Sequence, residues 1–111
     1  MDLYSVMPVS DLAKALEWYR VLFGRPADEV VGEEHLWQVG GNAWIVVDER
    51  AGRAGGATIT LGVTGLDGIL ARLAAHGPVE TYGNGVRHVV VLDPDGNELS
   101  LAEAPAEPDP A

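Results

Sequence analysis

The three histidines of this 111-residue chain are its side chains best suited to acid–base or metal chemistry. His35 follows two glutamates, and on a strand Glu33 would share its face. No third ligand is evident nearby, which favours a solvent-exposed strand edge over a metal site. His76 precedes a Gly-Pro pair, where a cation suits the end of a helix. His88 lies on a predicted strand, so a ligand-contacting or acid–base role stays open beside an ordinary strand position.

The glycine-rich turns lack the spacing of ion- or phosphate-binding loops. A calcium-binding EF-hand loop needs glycine at its sixth position and an acid at its twelfth, whereas the run 93–97 has Gly96 fourth and Ala104 twelfth. The run 93–97 therefore predicts a hairpin turn. The connector 50–56 lacks the Gly-Lys-Ser/Thr end of a phosphate loop. No Ser–His–acid arrangement is recognisable. The absence of cysteine excludes a disulfide scaffold, a thiolate nucleophile and a cysteine zinc site.

The aromatic side chains are more informative. Trp18 and Tyr19 fall on a predicted helix, where packing accounts for them. Trp37 and Trp44 fall on two neighbouring predicted strands, and Tyr82 lies at the end of another. Because tryptophan is costly to leave in water, two in one strand pair indicate either a dimer contact or a stacking wall for a planar ligand.

Charge narrows the classes of partner. Seventeen acidic against seven basic residues give a formal charge of −10. Such a surface repels phosphate backbones and anionic membranes, so we expect neither nucleic acid nor membrane as a partner. Cationic or neutral small molecules are accommodated more easily. No apolar run approaches the ~18 residues of a membrane span, and the N-terminus has no signal-peptide pattern, so a cytoplasmic protein is expected.

An internal repeat organises the chain. The run Met7-Pro8-Val9-Ser10-Asp11-Leu12 returns in weaker form as Leu61-Gly62-Val63-Thr64-Gly65-Leu66, 54 positions later. Each copy follows a strand-like run and opens a helix-like run. Since this offset is close to half the chain length, the sequence predicts two similar modules in tandem.

Each module is predicted to contain one helix and several strands. In the first, a helix begins at Ser10 or Asp11 and ends at Gly24. In the second, Thr64 caps a helix that Gly77-Pro78 ends. The predicted strands cover 3–9, 29–39 and 42–48, then 57–63, 79–82, 87–92 and 98–103. One helix per module cannot cover both sheet faces, so the helices pack on one face and the other curls into a cleft or meets a partner.

These elements predict an α+β protein with one domain over 1–104. Module one covers about 1–50 and module two about 57–104. From Pro105 onward, the proline, alanine and acidic residues are typical of a frayed tail over 105–111.

The order and spacing of four runs are similar to the vicinal oxygen chelate superfamily, which includes glyoxalases, extradiol dioxygenases and bleomycin-resistance proteins. These runs are Met7–Leu12, Trp18–Gly24, Gly85–Arg87 and Asp93–Asn97. The resemblance implies two tandem βαβββ modules whose strands form a curved mixed sheet around a cleft, with the helices on the outer face. It also implies a homodimer.

The resemblance further implies where a metal ion would bind in this family: a His on the first strand of a module and a Glu on its last strand. Those positions fall on Tyr4 and Thr58, on Ser100, and near Trp44 or Ile45. None is His or Glu. A phenol, two alcohols and an apolar group make no plausible site for a divalent ion, so no metal and no other cofactor is expected.

The leading hypothesis is therefore a metal-independent protein of the bleomycin-resistance type that sequesters a planar or cationic small molecule. Antibiotic resistance is one such role. No catalytic residue is assigned. The predicted cleft residues are Tyr4, Trp37, Trp44, Thr58, Thr60, His88 and Ser100.

Three alternatives stay open. The first is a metal-independent isomerase or lyase in which His88 or Tyr4 moves protons. The second is a metalloenzyme of glyoxalase or dioxygenase type with unusual ligands such as Glu33 and His35. The third is an interaction module whose cleft is filled by its own side chains. In each case we expect a homodimer, because a sheet with an uncovered face and free edges buries both against a symmetric copy.

Overall fold

The computed structural model describes residues 1–105 and consists of two βαβββ modules in tandem, as predicted. Module one contains β1 (Leu3–Val9), α1 (Leu12–Phe23), β2 (Glu29–Val31), β3 (Glu34–Gly40) and β4 (Ala43–Glu49). A 3-10 turn over Ala51–Arg53 connects it to module two, which contains β5 (Thr58–Gly62), α2 (Leu66–Arg72), β6 (Glu80–Thr81), β7 (Arg87–Leu92) and β8 (Glu98–Glu103). The predicted tail falls almost entirely on 106–111, outside the described residues.

Each module forms its own four-stranded mixed sheet. The strand orders are β1-β4-β3-β2 and β5-β8-β7-β6, with the first pair of each sheet parallel. Tyr4 lies opposite Trp44 in module one, and Thr58 lies opposite Glu98 in module two. Both pairs of equivalent residues are 54 positions apart, so the repeat read from the sequence is also the structural repeat.

The first helix forms as its sequence predicts. The Asp11 carboxylate accepts a hydrogen bond from the amide of Lys14, and Gly24 ends the helix in the left-handed conformation at φ 72°. The helix buries one face against the core through Ala15, Tyr19 and Leu22.

Three local predictions need correction. The stretch 29–39 is two strands, because Gly32 takes φ 59° and turns the chain between β2 and β3. The second helix is not capped by Thr64: Gly65 occupies that position without a side-chain hydrogen bond, and the carboxylate of Glu103 accepts from the Leu66 amide at 2.8 Å instead. It also ends at Arg72, before the predicted stop, because Leu73 adopts extended backbone.

Both modules contribute to one hydrophobic core between the helices and the sheets. From module one it includes Met7, Val9, Ala15, Tyr19, Leu22, Trp37, Ile45 and Val47; from module two it includes Leu66, Leu70, Leu73, Val89, Val91, Leu99 and Leu101. Alternate residues of each strand point to the opposite side, which we call the open face. None of the helices in residues 1–105 is long and apolar enough to cross a membrane.

The hairpin Asp93–Asn97, the clamp loop, joins module two to module one. It is the hairpin turn predicted from the sequence, with Gly96 at φ 90°, and its two end residues are buried: Asp93 is 4% exposed and Asn97 is 0% exposed. The Asn97 amide donates to the Pro8 carbonyl at 2.7 Å, and its oxygen accepts from the Ala57 amide at 2.9 Å. This loop therefore fixes the end of β1 beside the start of β5.

Candidate functional site

The open face of module one carries a pair of aromatic rings. Tyr4 and Trp44 are opposite each other on β1 and β4, and their rings stack at a centroid distance of 6.2 Å and an interplanar angle of 13°. Tyr4 is 52% exposed. Two flat rings near the edge of the sheet present an apolar surface to solvent.

The open face of module two carries the predicted hydroxyl groups. Thr60 lies opposite Ser100, and Thr58 lies two residues before Thr60 on the same strand face. His88 is on β7, partly buried, with its ring stacked on Tyr82 at a centroid distance of 5.9 Å. Thr58, Thr60, His88 and Ser100 thus point to the open face, because their neighbours along the strands, Ile59, Val89 and Leu99, pack into the core.

Trp37 does not belong to this face. It is 0% exposed and packs against Tyr19 and Phe23, and its indole nitrogen donates to the Arg25 carbonyl at 3.0 Å. Its partner across the strand pair is Ile45, which faces the core. Trp37 is therefore a core residue, and its prediction as a cleft residue is corrected.

A cavity of about 750 Å³ lies at the junction of the two modules. This junction cavity runs between the start of β1 and β4 on one side and the end of β5 and α2 on the other, under the last turn of α1. Two of the predicted site residues, Trp44 and Thr60, line it, one from each module. Tyr4, Thr58, His88 and Ser100 are not among its lining residues.

The lining is mainly apolar, with a few polar groups. Its aliphatic side chains include Leu3, Leu22, Ile45, Ile59, Leu61 and Ile69. Polar side chains come from Ser5, Gln38, Thr60 and Thr64, and two cations come from Arg25 and Arg72. No Asp or Glu of residues 1–105 lines the cavity.

The cavity lies beside the hairpin of module one, residues 39–43, which lacks the polar side chains of the equivalent clamp loop in module two. The strand pairing keeps the 54-residue offset up to the pairs Gln38–Trp44 and Leu92–Glu98, after which the register of module one shifts before Gly40 pairs with Ala43. By the sequence offset, Val39 corresponds to Asp93 and Ala43 to Asn97. In module two these two polar side chains are buried and bonded across the module boundary. In module one the short apolar side chains line the cavity. The end of the junction beside the clamp loop is therefore held by side-chain hydrogen bonds, whereas the end beside Val39 and Ala43 forms the junction cavity.

The residues at the family's metal positions do not fit a divalent ion. Tyr4, Thr58 and Ser100 offer only hydroxyl oxygens, and the module-one counterpart of Ser100, by the 54-residue offset, is Val46. Hydroxyls without an imidazole or carboxylate are poor ligands for the transition-metal and magnesium ions of such sites. No group of three His, Cys, Asp or Glu side chains suited to a metal occurs within the described chain, and this includes the surroundings of His35.

The groups with shifted pKa values take part in structural contacts. Burial, with Asp93 adding to it, raises the pKa of the Tyr19 phenol far above its usual range, so it stays a proton donor. Hydrogen bonds from Arg87 lower the pKa of Asp67, and the Leu66 amide together with Arg87 lowers that of Glu103. Tyr19, Asp67 and Glu103 do not line the junction cavity, whereas Arg25, whose pKa is raised by its hydrogen bond to Asp28, does.

Sequence reasoning missed the two arginines and the aliphatic part of the lining. Arg25 follows α1, and Arg72 ends α2, so nothing in their spacing brings them together. The repeat did contain one usable signal. Aligning the two hairpins at the 54-residue offset shows that Asp93 and Asn97 have no polar counterpart.

The comparisons with known proteins agree on one family. A family model described as the Glyoxalase/Bleomycin resistance protein/Dioxygenase superfamily matches residues 3–101. A solved glyoxalase/bleomycin resistance protein from Catenulispora acidiphila is 38% identical over 95% of this chain and 99% of its own, with a TM-score of 0.86. A search of curated proteins finds no match.

More distant solved structures share the fold. A lactoylglutathione lyase from Agrobacterium tumefaciens is 17% identical, with a TM-score of 0.72 over 93% of this chain and 92% of its own. An oxidase, ChaP-H1, is 20% identical, with a TM-score of 0.75 over 97% of this chain and 98% of its own.

Proposed function

Because the chain belongs to the glyoxalase/bleomycin resistance protein/dioxygenase superfamily, we propose that it binds a small organic molecule at the junction of its modules and acts by binding, without a metal ion. The observation that carries this proposal is the junction cavity. Its volume of about 750 Å³ lies within the range of sites for drug-sized ligands. A mainly apolar lining with a few polar groups is also typical of such sites.

The side chains of the cavity are suited to holding a ligand and not to moving protons. Among residues 1–105, the charged side chains that line it are Arg25 and Arg72, and a guanidinium does not act as an acid or base at physiological pH. Its hydroxyls, Ser5, Thr60 and Thr64, have no histidine or carboxylate beside them in the lining. This supports binding over the isomerase alternative, in which His88 or Tyr4 would act.

A planar ligand agrees with the position of the aromatic pair. Trp44 lines the cavity and stacks on Tyr4, which extends the apolar surface from the cavity onto the open face. Trp44 and Thr60 both line the cavity, so its lining offers a planar ligand an aromatic ring from one module and a hydroxyl from the other. We propose that binding sequesters such a compound and, where the compound is an antibiotic, confers resistance, because occupancy alone lowers the free concentration.

We also propose that two copies of the chain associate. The outer strand β2 has free backbone groups along one edge, and its Val30 and Val31 are 57% and 58% exposed. A second copy would cover this edge. Light scattering should give twice the mass of one chain, and Val31→Lys should shift it to one.

The test of binding uses two matched tryptophan substitutions on β5. Thr60 and Thr58 are both exposed and share one strand face, but only Thr60 lines the cavity. Aromatic compounds would be screened by calorimetry against the wild-type chain. Thr60→Trp should abolish the binding of any compound found, because the indole fills the cavity, and Thr58→Trp should leave it unchanged. Failure of all compounds to bind, or equal effects of the two substitutions, would contradict the proposal.

A further inference from the structure

We infer that the ligand of the junction cavity is an organic anion: a carboxylate with an apolar body about the size of a ring system. This inference rests on the proposed function and adds the chemical class of its ligand. In it, Arg72 and Arg25 hold the carboxylate at the mouth of the cavity, and the aliphatic and indole side chains surround the apolar body.

The distribution of charge is the first argument. The chain has seven basic against seventeen acidic residues, and two of the seven line this cavity. No acidic side chain of residues 1–105 lines it. The cavity is thus locally cationic in a protein whose formal net charge is −10. This changes the sequence-based expectation of a cationic ligand, which followed from the net charge of the whole chain.

The fixed position of Arg72 is the second argument. Its Nε donates to the Val21 carbonyl at 2.9 Å, and its Nη2 donates to the Leu22 carbonyl at 2.8 Å. Gly24 leaves room for the guanidinium, because a Cβ there would lie 3.3 Å from its central carbon. The side chain is therefore held in place before any ligand arrives.

The charge of Arg72 is not neutralised by a carboxylate of residues 1–105, and several of its N–H groups can still donate to a ligand. It forms no salt bridge within residues 1–105, and carbonyls at the end of a helix carry only partial negative charge. Its Nη1 makes no hydrogen bond to the described residues. A guanidinium with free N–H groups is well suited to bind a carboxylate through two parallel hydrogen bonds.

Arg25 supports the same site with a smaller share of charge. Its Nε and Nη2 bind the Asp28 carboxylate at 3.1 and 3.0 Å, and Nη2 also donates to the Gln38 carbonyl at 2.7 Å. Asp28 neutralises much of its charge, and Nη1 stays available as a donor. Both arginines are exposed, which places the anionic group at the mouth and the apolar body inside.

Three probes with the same ring system separate charge from shape: 2-naphthoate, 2-naphthamide and 2-naphthylmethylamine. Calorimetry at low ionic strength should show that naphthoate binds about tenfold or more tightly than the neutral amide, and that the ammonium binds most weakly. Added salt should weaken the binding of naphthoate and leave that of naphthamide nearly unchanged, because screening acts on charge alone.

Substitutions then locate the charge. Arg72→Gln should weaken naphthoate about tenfold without affecting naphthamide, Arg72→Lys should restore part of the loss, and Lys14→Gln, which removes a cation outside the cavity, should have no effect. If Arg72→Gln does not fold, the salt dependence of the wild-type chain decides. Equal binding of naphthoate and naphthamide would overturn the inference and leave the proposed function standing. Failure of all three probes to bind would count against the proposed function itself.

Discussion

The phenol of Tyr19 donates a hydrogen bond across the module boundary to the carboxylate of Asp93, with 2.7 Å between Oη and Oδ2. Both side chains are buried, and Asp93 also accepts from the backbone amides of Asp95 and Asn97 and from the Asn97 side chain. A buried carboxylate has lost its contacts with water, so its stability depends on the hydrogen-bond donors that surround it. The first helix is thereby bound to the clamp loop of the second module.

Tyr19→Phe should destabilise the protein by about 1–3 kcal/mol, because it removes one donor from a buried carboxylate and adds none. Urea unfolding followed by circular dichroism would measure the change. Tyr82→Phe is the matched control, since Tyr82 is 48% exposed and its hydroxyl has no partner in the described chain. Equal stability of the two variants would show that the Tyr19–Asp93 bond contributes nothing.

Asn97→Ala should cost more, about 2–4 kcal/mol, since it leaves the Ala57 amide without its partner and the Pro8 carbonyl with only the longer bond from the Gly55 amide. The same urea experiment measures this cost. Asn84→Ala, on an exposed turn where the side-chain oxygen accepts one local hydrogen bond from the Val86 amide, should change stability little. A loss no larger than that of the control would contradict the role assigned to the clamp loop.

Stability should fall with acid in a way that depends on Arg87. Hydrogen bonds from Arg87 hold the pKa of Asp67 below its ordinary 3.8, and the Leu66 amide and Arg87 hold that of Glu103 below 4.5. A carboxyl whose pKa is lowered by folding stabilises the fold above its unfolded value, and this contribution is lost as the pH falls through its folded value.

The free energy of unfolding of the wild-type chain should therefore decrease as the pH is lowered from about 5 through the acidic range. Arg87→Gln should reduce stability at neutral pH and flatten this decrease, because both carboxyls return toward their ordinary pKa values. Arg53→Gln, which removes an exposed arginine with no ion pair in the described chain, should keep the wild-type slope. Parallel pH profiles for all three proteins would rule out this linkage.

Gly24→Ala should affect both stability and ligand binding. Gly24 has φ 72°, where a side chain is strained by about 1 kcal/mol or more, and a Cβ there would press on the Arg72 guanidinium. Gly32→Ala is matched in strain, at φ 59°, but has no atom within 4 Å of the added carbon. Both variants should lose stability in urea, and only Gly24→Ala should weaken naphthoate in calorimetry. If naphthoate binds both equally well, the position of Arg72 does not matter for binding.

The fold could be predicted from the sequence because its signals are local or periodic. The cap at Asp11 and the stop at Gly24 act within a few residues of where they are found, and the 54-residue repeat is visible by comparing the two halves of the sequence. The cap of the second helix is not a local signal, because the carboxylate that accepts from the Leu66 amide belongs to Glu103, 37 positions further along the chain. Glu49 accepts from the Leu12 amide at 3.3 Å in the equivalent place, so this device too repeats at the same offset.

The site could be predicted only in part. Trp44 and Thr60 do line the junction cavity, but Trp37 does not, because alternation along a strand gives two faces without saying which is buried. The strand pairing settles it by placing Trp37 opposite Ile45. Arg25 and Arg72 line the same cavity only because α1 packs near α2, which no spacing in the sequence encodes.

The hairpins 39–43 and 93–97 differ in polarity, and the two copies of the repeat therefore contribute differently to the protein. The side chains of Asp93 and Asn97 form hydrogen bonds between the two modules, whereas Val39 and Ala43 at the equivalent positions are apolar and form none. Replacements in the hairpin 39–43 should therefore retune which compounds the chain accepts at little risk to folding, which makes it the natural place for selection, or for a protein engineer, to vary specificity.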